Sequence, residues 1–293
     1  MISEKAGGPW YGTSREHHVS GISHPLQHGR HLPGGIIPAS VSERLRLPEM
    51  RLYGILLGSW TEHVPVPRRR HQTSITARTV MHRTHLPLTV WFWAIYLCAT
   101  DKRGISAVQL SRTLGICYES AWYLLLRIRA AMGQRDEKYL LSGIVELDDG
   151  YVGGPSHNGK RGRGTDKAKI VVAVSKTANS APLFARMKVV DNVQGKTLQE
   201  IIDQYFVPKT KVECDGYRSY LNLEGVELNA KKYETDDLHW VHKAISNLKA
   251  FLQGTYHGRC TKLQAYLDEY CFRFNRRMTG NQIFLRLTRA AAT

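Results

Sequence analysis

The chain is short of cysteine, and the five it has are dispersed: Cys98, Cys117, Cys214, Cys260 and Cys271 include no CxxC pair. That spacing excludes a disulfide framework and a zinc knuckle. The longest apolar stretch, LPLTVWFWAIYLCAT at 86–100, falls short of the roughly 20 residues a spanning helix needs and predicts a buried helix instead. The opening MISEKAGGPWYG lacks the apolar centre of a signal peptide. A cytoplasmic protein with no membrane partner is therefore expected. Acidic residues are scarce as well, with 25 Asp and Glu against 41 Lys and Arg and a net charge of +16. An excess of that size favours a polyanionic partner, nucleic acid above all.

Composition divides the chain into zones. Residues 1–70 are rich in Gly, Pro, His and Ser and keep no period of 2 or 3.6, which predicts an irregular, poorly ordered region. Residues 71–135 carry helical periodicity. Ser106 is placed to cap a short helix bearing Val108, Leu110 and Leu114; the turn LGIC follows, and a second helix runs from Tyr118 to Met132 with Ala121, Leu125 and Ile128 on one side. Two helices about a Gly-containing turn, the second carrying Arg127 and Arg129, predict a helix-turn-helix that binds DNA. An ordinary helical hairpin is the alternative. From 140 to 280 the pattern becomes mixed α/β, with strands at SGIVELD, KIVVAVSKT, LFARMKVVD and KVECD, a helix at TLQEIIDQYF and two helices at 240–253 and 262–277. Residues 281–293 are left as a tail.

The stretch GIVELDDGYVGG ends an apolar run in Glu146, Asp148 and Asp149. Acids at the end of a buried strand are costly to desolvate unless paired or bound to a cation. Asp215 ends the strand KVECD in the same way. If the two strands are neighbours, Asp148 and Asp215 meet, and a pair of carboxylates in a basic protein points to divalent metal: Mg²⁺, with Mn²⁺ expected to substitute. Two such ions activate a nucleophile and stabilise a leaving oxygen in phosphodiester chemistry. Asp149 is read as a strand-end acid kept for solubility.

The segments VELDDGYVGG, VECDGYRSY and HWVHKAISNLKAFLQGTYHGRCTKLQAYLDEYCFRFNRR closely resemble bacterial insertion-sequence transposases of the ISXO-two-like type. So do RHQTSITARTVMHRTHLPLTVWFWAIYL and GISAVQLSRTLGICYESAWYLLLRIRAAMG, which resemble the part preceding the catalytic core. The resemblance runs from about 70 to 278. It implies a DDE-class enzyme with an RNase H-like catalytic fold, dependent on Mg²⁺, that nicks element ends and joins the freed 3′-hydroxyl to target DNA. It further implies DNA partners (terminal inverted repeats and target), a homo-oligomer on DNA and work at the bacterial nucleoid. Asp148 and Asp215 fall on the first two catalytic positions.

The third position departs from the commonest pattern, because no Glu lies between His239 and Gln264. One branch of the family has Asn with a nearby Lys, which ISNLK matches with Asn247 and Lys249. A gapless count back from GTYHG places His242 there instead, with Lys249 seven residues on and on the same helix face. Asn247 is preferred as catalytic residue and metal ligand, since oxygen suits Mg²⁺ better than imidazole; His242 stays open.

Between the first two strands, Lys160, Arg161, Arg163 and Lys167 lie in a glycine-rich loop, the expected place for phosphate contacts together with Arg127 and Arg129. Trp240 and the aromatics of YCFRFNRR are read as core, and Arg273, Arg276 and Arg277 as surface. Relatives open with a zinc ribbon of paired cysteines, absent here; residues 1–70 are read as a frame-shifted remnant of one. Two other functions compete: a catalytically inactive DNA-binding remnant, and an RNase H-like nuclease.

Overall fold

The computed structural model describes residues 64–65, 72–74, 76–154, 165–231, 238–257 and 261–292, all within one unit that spans 37–293. The expectations for the irregular region therefore lie almost wholly outside the described residues, as do those for Lys160, Arg161 and Arg163.

Helix α1, Leu88–Thr100, begins behind Pro87 and buries Trp91, Ala94, Ile95 and Cys98. Those four recur at intervals of three and four, the stripe that packs one helix face inward. Helix α2, Ala107–Leu114, starts where the Ser106 hydroxyl accepts the Gln109 amide at 3.1 Å. It stops at Gly115, whose φ of 64° is the left-handed conformation that ends helices. Three residues later α3, Tyr118–Glu137, begins. It runs five residues past the predicted end, because Ala131, Met132, Gly133 and Asp136 remain buried.

The helical core has contributors the sequence did not announce. Phe272, Leu287 and Ala291 pack with Trp91, Leu110, Leu124, Ile128 and Met132. Leu287 and Ala291 belong to a C-terminal helix, Ile283–Ala291, so the residues expected as a tail complete the core of the helical part.

The remaining chain is a five-stranded mixed sheet. Strands β1 (Ile144–Val152), β2 (Ala168–Lys176) and β3 (Pro182–Val190) form an antiparallel meander. Helix α4, Gly195–Tyr205, crosses over to β4, Lys211–Asp215, which runs parallel to β1. The last strand, β5 (Glu227–Lys231), lies parallel to β4 at the edge and was not foreseen. Its sequence, ELNAK, is short and polar, with none of the β-branched or aromatic residues that mark a strand. The spatial order is β3-β2-β1-β4-β5.

Alternation along the strands feeds two cores. Val145, Leu147, Val171, Ala173, Val212 and Cys214 pack against Leu198, Ile201, Ile202 and Tyr205, of which the last four lie on α4. Ile170, Val172, Val174, Ala185 and Met187 face the opposite way, against α5 (His239–Tyr256) and α6 (Leu263–Asn275), through Val241, Ala244, Ile245, Leu248, Leu267 and Cys271. The C-terminal helix Ile283–Ala291 is α7.

Candidate active site

Asp148 does not end its strand, as the sequence suggested; it is the fifth of nine residues in β1. What ends beside it is the neighbour. The parallel ladder runs from Ile144↔Lys211 to Leu147↔Cys214 and stops, while the antiparallel ladder with β2 continues from Asp148↔Val172 to Val152↔Ala168. Among the described residues, β1 is paired on one side only from Asp148 onward. The last residue of β4 is Asp215, next in register after Cys214, so the two acids stand side by side at the mouth of that gap. A crevice at the carboxyl ends of parallel strands is where open α/β sheets place their ligand sites.

Both acids face α5. Leu147 and Cys214 belong to the α4 core, so Asp148 and Asp215, each one residue further along, project to the other face. On that face Gly150 admits the helix: a Cβ there would lie 3.3 Å from both Ile170 and Ile245. Asp149 points the opposite way and accepts the Tyr220 hydroxyl at 3.3 Å. Its backbone amide donates to Asp148 Oδ1 at 2.7 Å, and Asp215 Oδ1 accepts the Tyr217 amide at 3.2 Å.

Burial first, and then the charges of Asp149 and Asp215, push the Asp148 carboxyl up to about 6; the Asp149 amide and His242 pull it down. Burial also pushes the Cys214 thiol up to about 11, with Asp215 and Asp148 adding to the effect. Negative charge is therefore concentrated at the middle of β1 and the end of β4.

Of the two residues considered for the third position, His242 is the one that lies against Asp148. His242 Nε2 lies 3.4 Å from Asp148 Oδ2. Asn247 is five residues on, about 140° further round the helix, and its side chain hydrogen-bonds Tyr270 of α6. Lys249, exposed, shares the outward face with His242.

A residue named in the sequence without a role, Glu146, holds the helix in place. Glu146, only 1% exposed, precedes Asp148 by two and so shares its face. Its Oε2 accepts the amides of Trp240 at 2.7 Å and Val241 at 3.0 Å, and its Oε1 takes Lys176 at 2.9 Å. Lys176 also reaches Glu213 at 2.7 Å. The N-cap residue, Leu238, makes no side-chain cap hydrogen bond; a carboxylate from the sheet accepts the first-turn amides instead. The period-2 spacing of Glu146 and Asp148 was the available signal.

The expected DNA-facing residues divide. Arg127 is half-buried, donates to the His82 carbonyl at 2.8 Å and lies over the Tyr123 ring. Lys167, half-buried, lies beside Gly153 where the β1–β2 hairpin closes. Arg129 is corrected: it is 3% exposed and bonds Glu269 at 2.7 Å between the rings of Tyr256 and Tyr266. Arg273 joins the same carboxylate at 2.6 Å, and Arg276, expected at the surface, is buried against Asp136 at 2.6 Å. Burial works to raise the Glu269 carboxyl, but Arg129 and Arg273 outweigh it and hold it below its ordinary value. Tyr256 of the GTYHG motif donates to Glu269 at 3.2 Å, so that tyrosine packs. Trp240 packs too, its indole N–H donating to the Ser180 carbonyl.

Among the described residues no group of three or more His, Cys, Asp or Glu side chains forms a metal cage, and no helix is long and apolar enough to cross a membrane.

Comparison with protein families matches part of this chain to one family model. The matching model is the ISXO2-like transposase domain, and it covers residues 140–275, from just before β1 to the end of α6. Among solved structures, the Mos1 transposase paired-end complex with left transposon end is matched over 85% of this chain and 95% of that one, at 10% identity and a TM-score of 0.21. No curated protein matches the chain.

Proposed function

We propose that the chain is the transposase of an insertion sequence, cleaving element ends and transferring the 3′-hydroxyl into target DNA. The observation that carries this reading is Asp148 where the β1–β4 ladder stops, with Asp215 next in register on β4 and His242 Nε2 3.4 Å from the Asp148 carboxylate. The strand order, with three antiparallel strands followed by two parallel ones, supports an RNase H-like catalytic fold.

The donor set fits a divalent cation. Mg²⁺ is typically held by one or two carboxylates, with water and substrate phosphate filling the other positions. The Asp148 carboxyl, raised by burial and its acidic neighbours, gains from a cation at this point. Asp148 and Asp215 would hold it, with Mn²⁺ able to replace Mg²⁺. When bound, such ions supply Lewis-acid activation of the attacking oxygen and neutralise the leaving one. His242 would take the third position in this reading, in place of Asn247, with its Nε2 beside the Asp148 carboxylate. Lys249 and Lys167 orient the scissile strand through its phosphates. Helices α2 and α3 act as the helix-turn-helix of a 71–135 DNA-binding segment, with Arg127 on a phosphate and Tyr118 and Tyr123 outward, each about half exposed. The catalytic domain is 140–280. Two ends must be held together, so the working form is a homo-oligomer on nucleoid DNA.

A second reading, a DNA-binding remnant without catalysis, is favoured by one observation: the residue brought to Asp148 is an imidazole that adds no negative charge. A single experiment separates the two. A pre-cut duplex bearing the element end is incubated with plasmid target and Mg²⁺, Mn²⁺ or EDTA, using the unmutated chain, Asp148→Asn, His242→Ala and Asn247→Ala. Joined product that requires metal, Asp148 and His242, and survives Asn247→Ala, supports the transposase. Binding without joining in either metal leaves the remnant.

A further inference from the structure

We propose that the cleft between the end of α3 and helix α7 is a second duplex-DNA contact surface, remote from the acids. The cleft has a volume of about 620 Å³, and Arg135, Lys138, Arg276, Arg286 and Arg289 line it with no Asp or Glu among its described lining residues. Arg276 is matched by Asp136 at 2.6 Å. The other four cations come from two walls. Arg135 and Lys138 belong to the last turn of α3 and its cap, and Arg286 and Arg289 lie one turn apart on α7. The opposite face of α7 buries Leu287, Ala290 and Ala291, so packing fixes its basic face outward, where Arg286 and Arg289 are exposed.

A concave surface lined by one sign of charge focuses its field and concentrates an oppositely charged partner. Three of these four cations are arginines, whose planar fork matches phosphate geometry in a way a lysine does not. The α3 end reaches the sheet at its edge strand: Arg186 of β3 donates to the carbonyls of Asp136 and Tyr139 at 2.6 and 2.8 Å. Asp148 and Asp215 stand on β1 and β4, beyond β2. A duplex seated in the cleft is therefore gripped through its backbone at a place separate from the bond being broken.

This inference rests on the transposase reading for the identity of its partner, and the test keeps the two apart. Affinity for a 30-base-pair duplex of arbitrary sequence is measured by fluorescence anisotropy across a salt series. The proteins are the full chain, the double variant Arg286→Glu with Arg289→Glu, and the double variant Arg135→Gln with Lys138→Gln, each shown folded by its unfolding midpoint. Each double variant is expected to bind at least about tenfold more weakly, with a salt slope lower by about 2, as loss of two phosphate contacts requires. Unchanged affinity and slope in both variants overturn the cleft. So does a wild-type chain that binds polyglutamate in preference to the duplex. Metal-dependent nicking, lost in Asp148→Asn, is assayed in parallel. Nicking that persists while the cleft variants bind like wild type sinks the cleft alone, and cleft-dependent binding without nicking sinks the catalytic reading alone.

Discussion

The Glu146 carboxylate accepts the backbone amide of Trp240 at 2.7 Å, joining a central strand to the first turn of the helix that carries His242. The bond ties two segments 94 residues apart, and Val241 and Lys176 converge on the same carboxylate. Helix N-termini leave amides without partners, and an anion there also meets the positive end of the helix dipole. Glu146 thus fixes the height of α5 over β1, and with it the approach of His242 to Asp148.

Glu146→Ala removes the acceptor for two amides and a counter-charge of the Lys176 ammonium, whose side chain is only 11% exposed. The loss expected from equilibrium urea unfolding is about 3 kcal/mol, the range for breaking a buried charge pair. Glu146→Gln retains an oxygen for the amides and should lose about half of that. If α5 is positioned as described, strand joining falls further in Glu146→Ala than in Glu146→Gln at a temperature where both are folded. Equal joining by the two variants would deny Glu146 any part in positioning.

Stability of the metal-free protein should depend on the Asp148 carboxyl, raised from its ordinary value of 3.8 up to about 6. Between those values the folded chain binds more protons than the unfolded one, so stability falls as pH rises through the window. Above pH 6 the full cost is present, on the order of 3 kcal/mol. Asp148→Asn removes it, so in EDTA the variant should be the more stable protein at pH 7.5, with its advantage fading toward pH 4. Mg²⁺ should raise the melting temperature of the unmutated chain at pH 7.5 and leave Asp148→Asn unmoved. An Asp148→Asn chain that is no more stable than wild type at pH 7.5 would refute the strained carboxylate.

The sequence announced the acids and hid what surrounds them. Asp148 and Asp215 were legible because each follows an apolar run in a chain poor in acid, and side-by-side strands were the simplest way to reconcile them. Strands β1 to β4 and helices α4 to α6 were legible by period. The choice between His242 and Asn247 was not, since it depends on the rotation of α5, which is set by Glu146 and by the approach of Ile245 to Gly150. Arg129 was misread for a related reason: a basic residue on a helix looks solvent-facing until its partner, Glu269, 140 residues away, is known. Strand β5 has no apolar period of its own, and α7 was passed over because its apolar face is completed only by α1 and α3.

Arg129 and Arg127 offer a direct contrast. Arg129→Ala leaves Glu269 with Arg273 but removes a buried partner and the guanidinium stacked on Tyr256 and Tyr266, so the expected loss is about 3–5 kcal/mol. Arg127→Ala gives up one hydrogen bond to a carbonyl and should cost about 1 kcal/mol. DNA affinity reverses the order. Folded Arg129→Ala should bind duplex as the unmutated chain does, while Arg127→Ala should weaken binding and lower the salt slope by about 1. Anisotropy titration of both variants, after their unfolding curves, checks the pair.

The third position can be tested by restoring charge. His242 extends from α5 to within 3.4 Å of Asp148, a geometry that a glutamate of similar reach can adopt from the same helix position. A hard cation prefers carboxylate oxygen to imidazole nitrogen, so His242→Glu should shift the Mg²⁺ concentration for half-maximal joining about tenfold lower, on the order of 1.4 kcal/mol of binding. Without metal the same change places a third carboxylate beside Asp148 and Asp215, and the protein should lose stability above pH 6. Asn247→Glu carries the same charge on the α6-facing side and should leave the Mg²⁺ midpoint where it was. A lower midpoint from Asn247→Glu, with none from His242→Glu, would assign the third ligand to Asn247 and require α5 to rotate when DNA and metal bind.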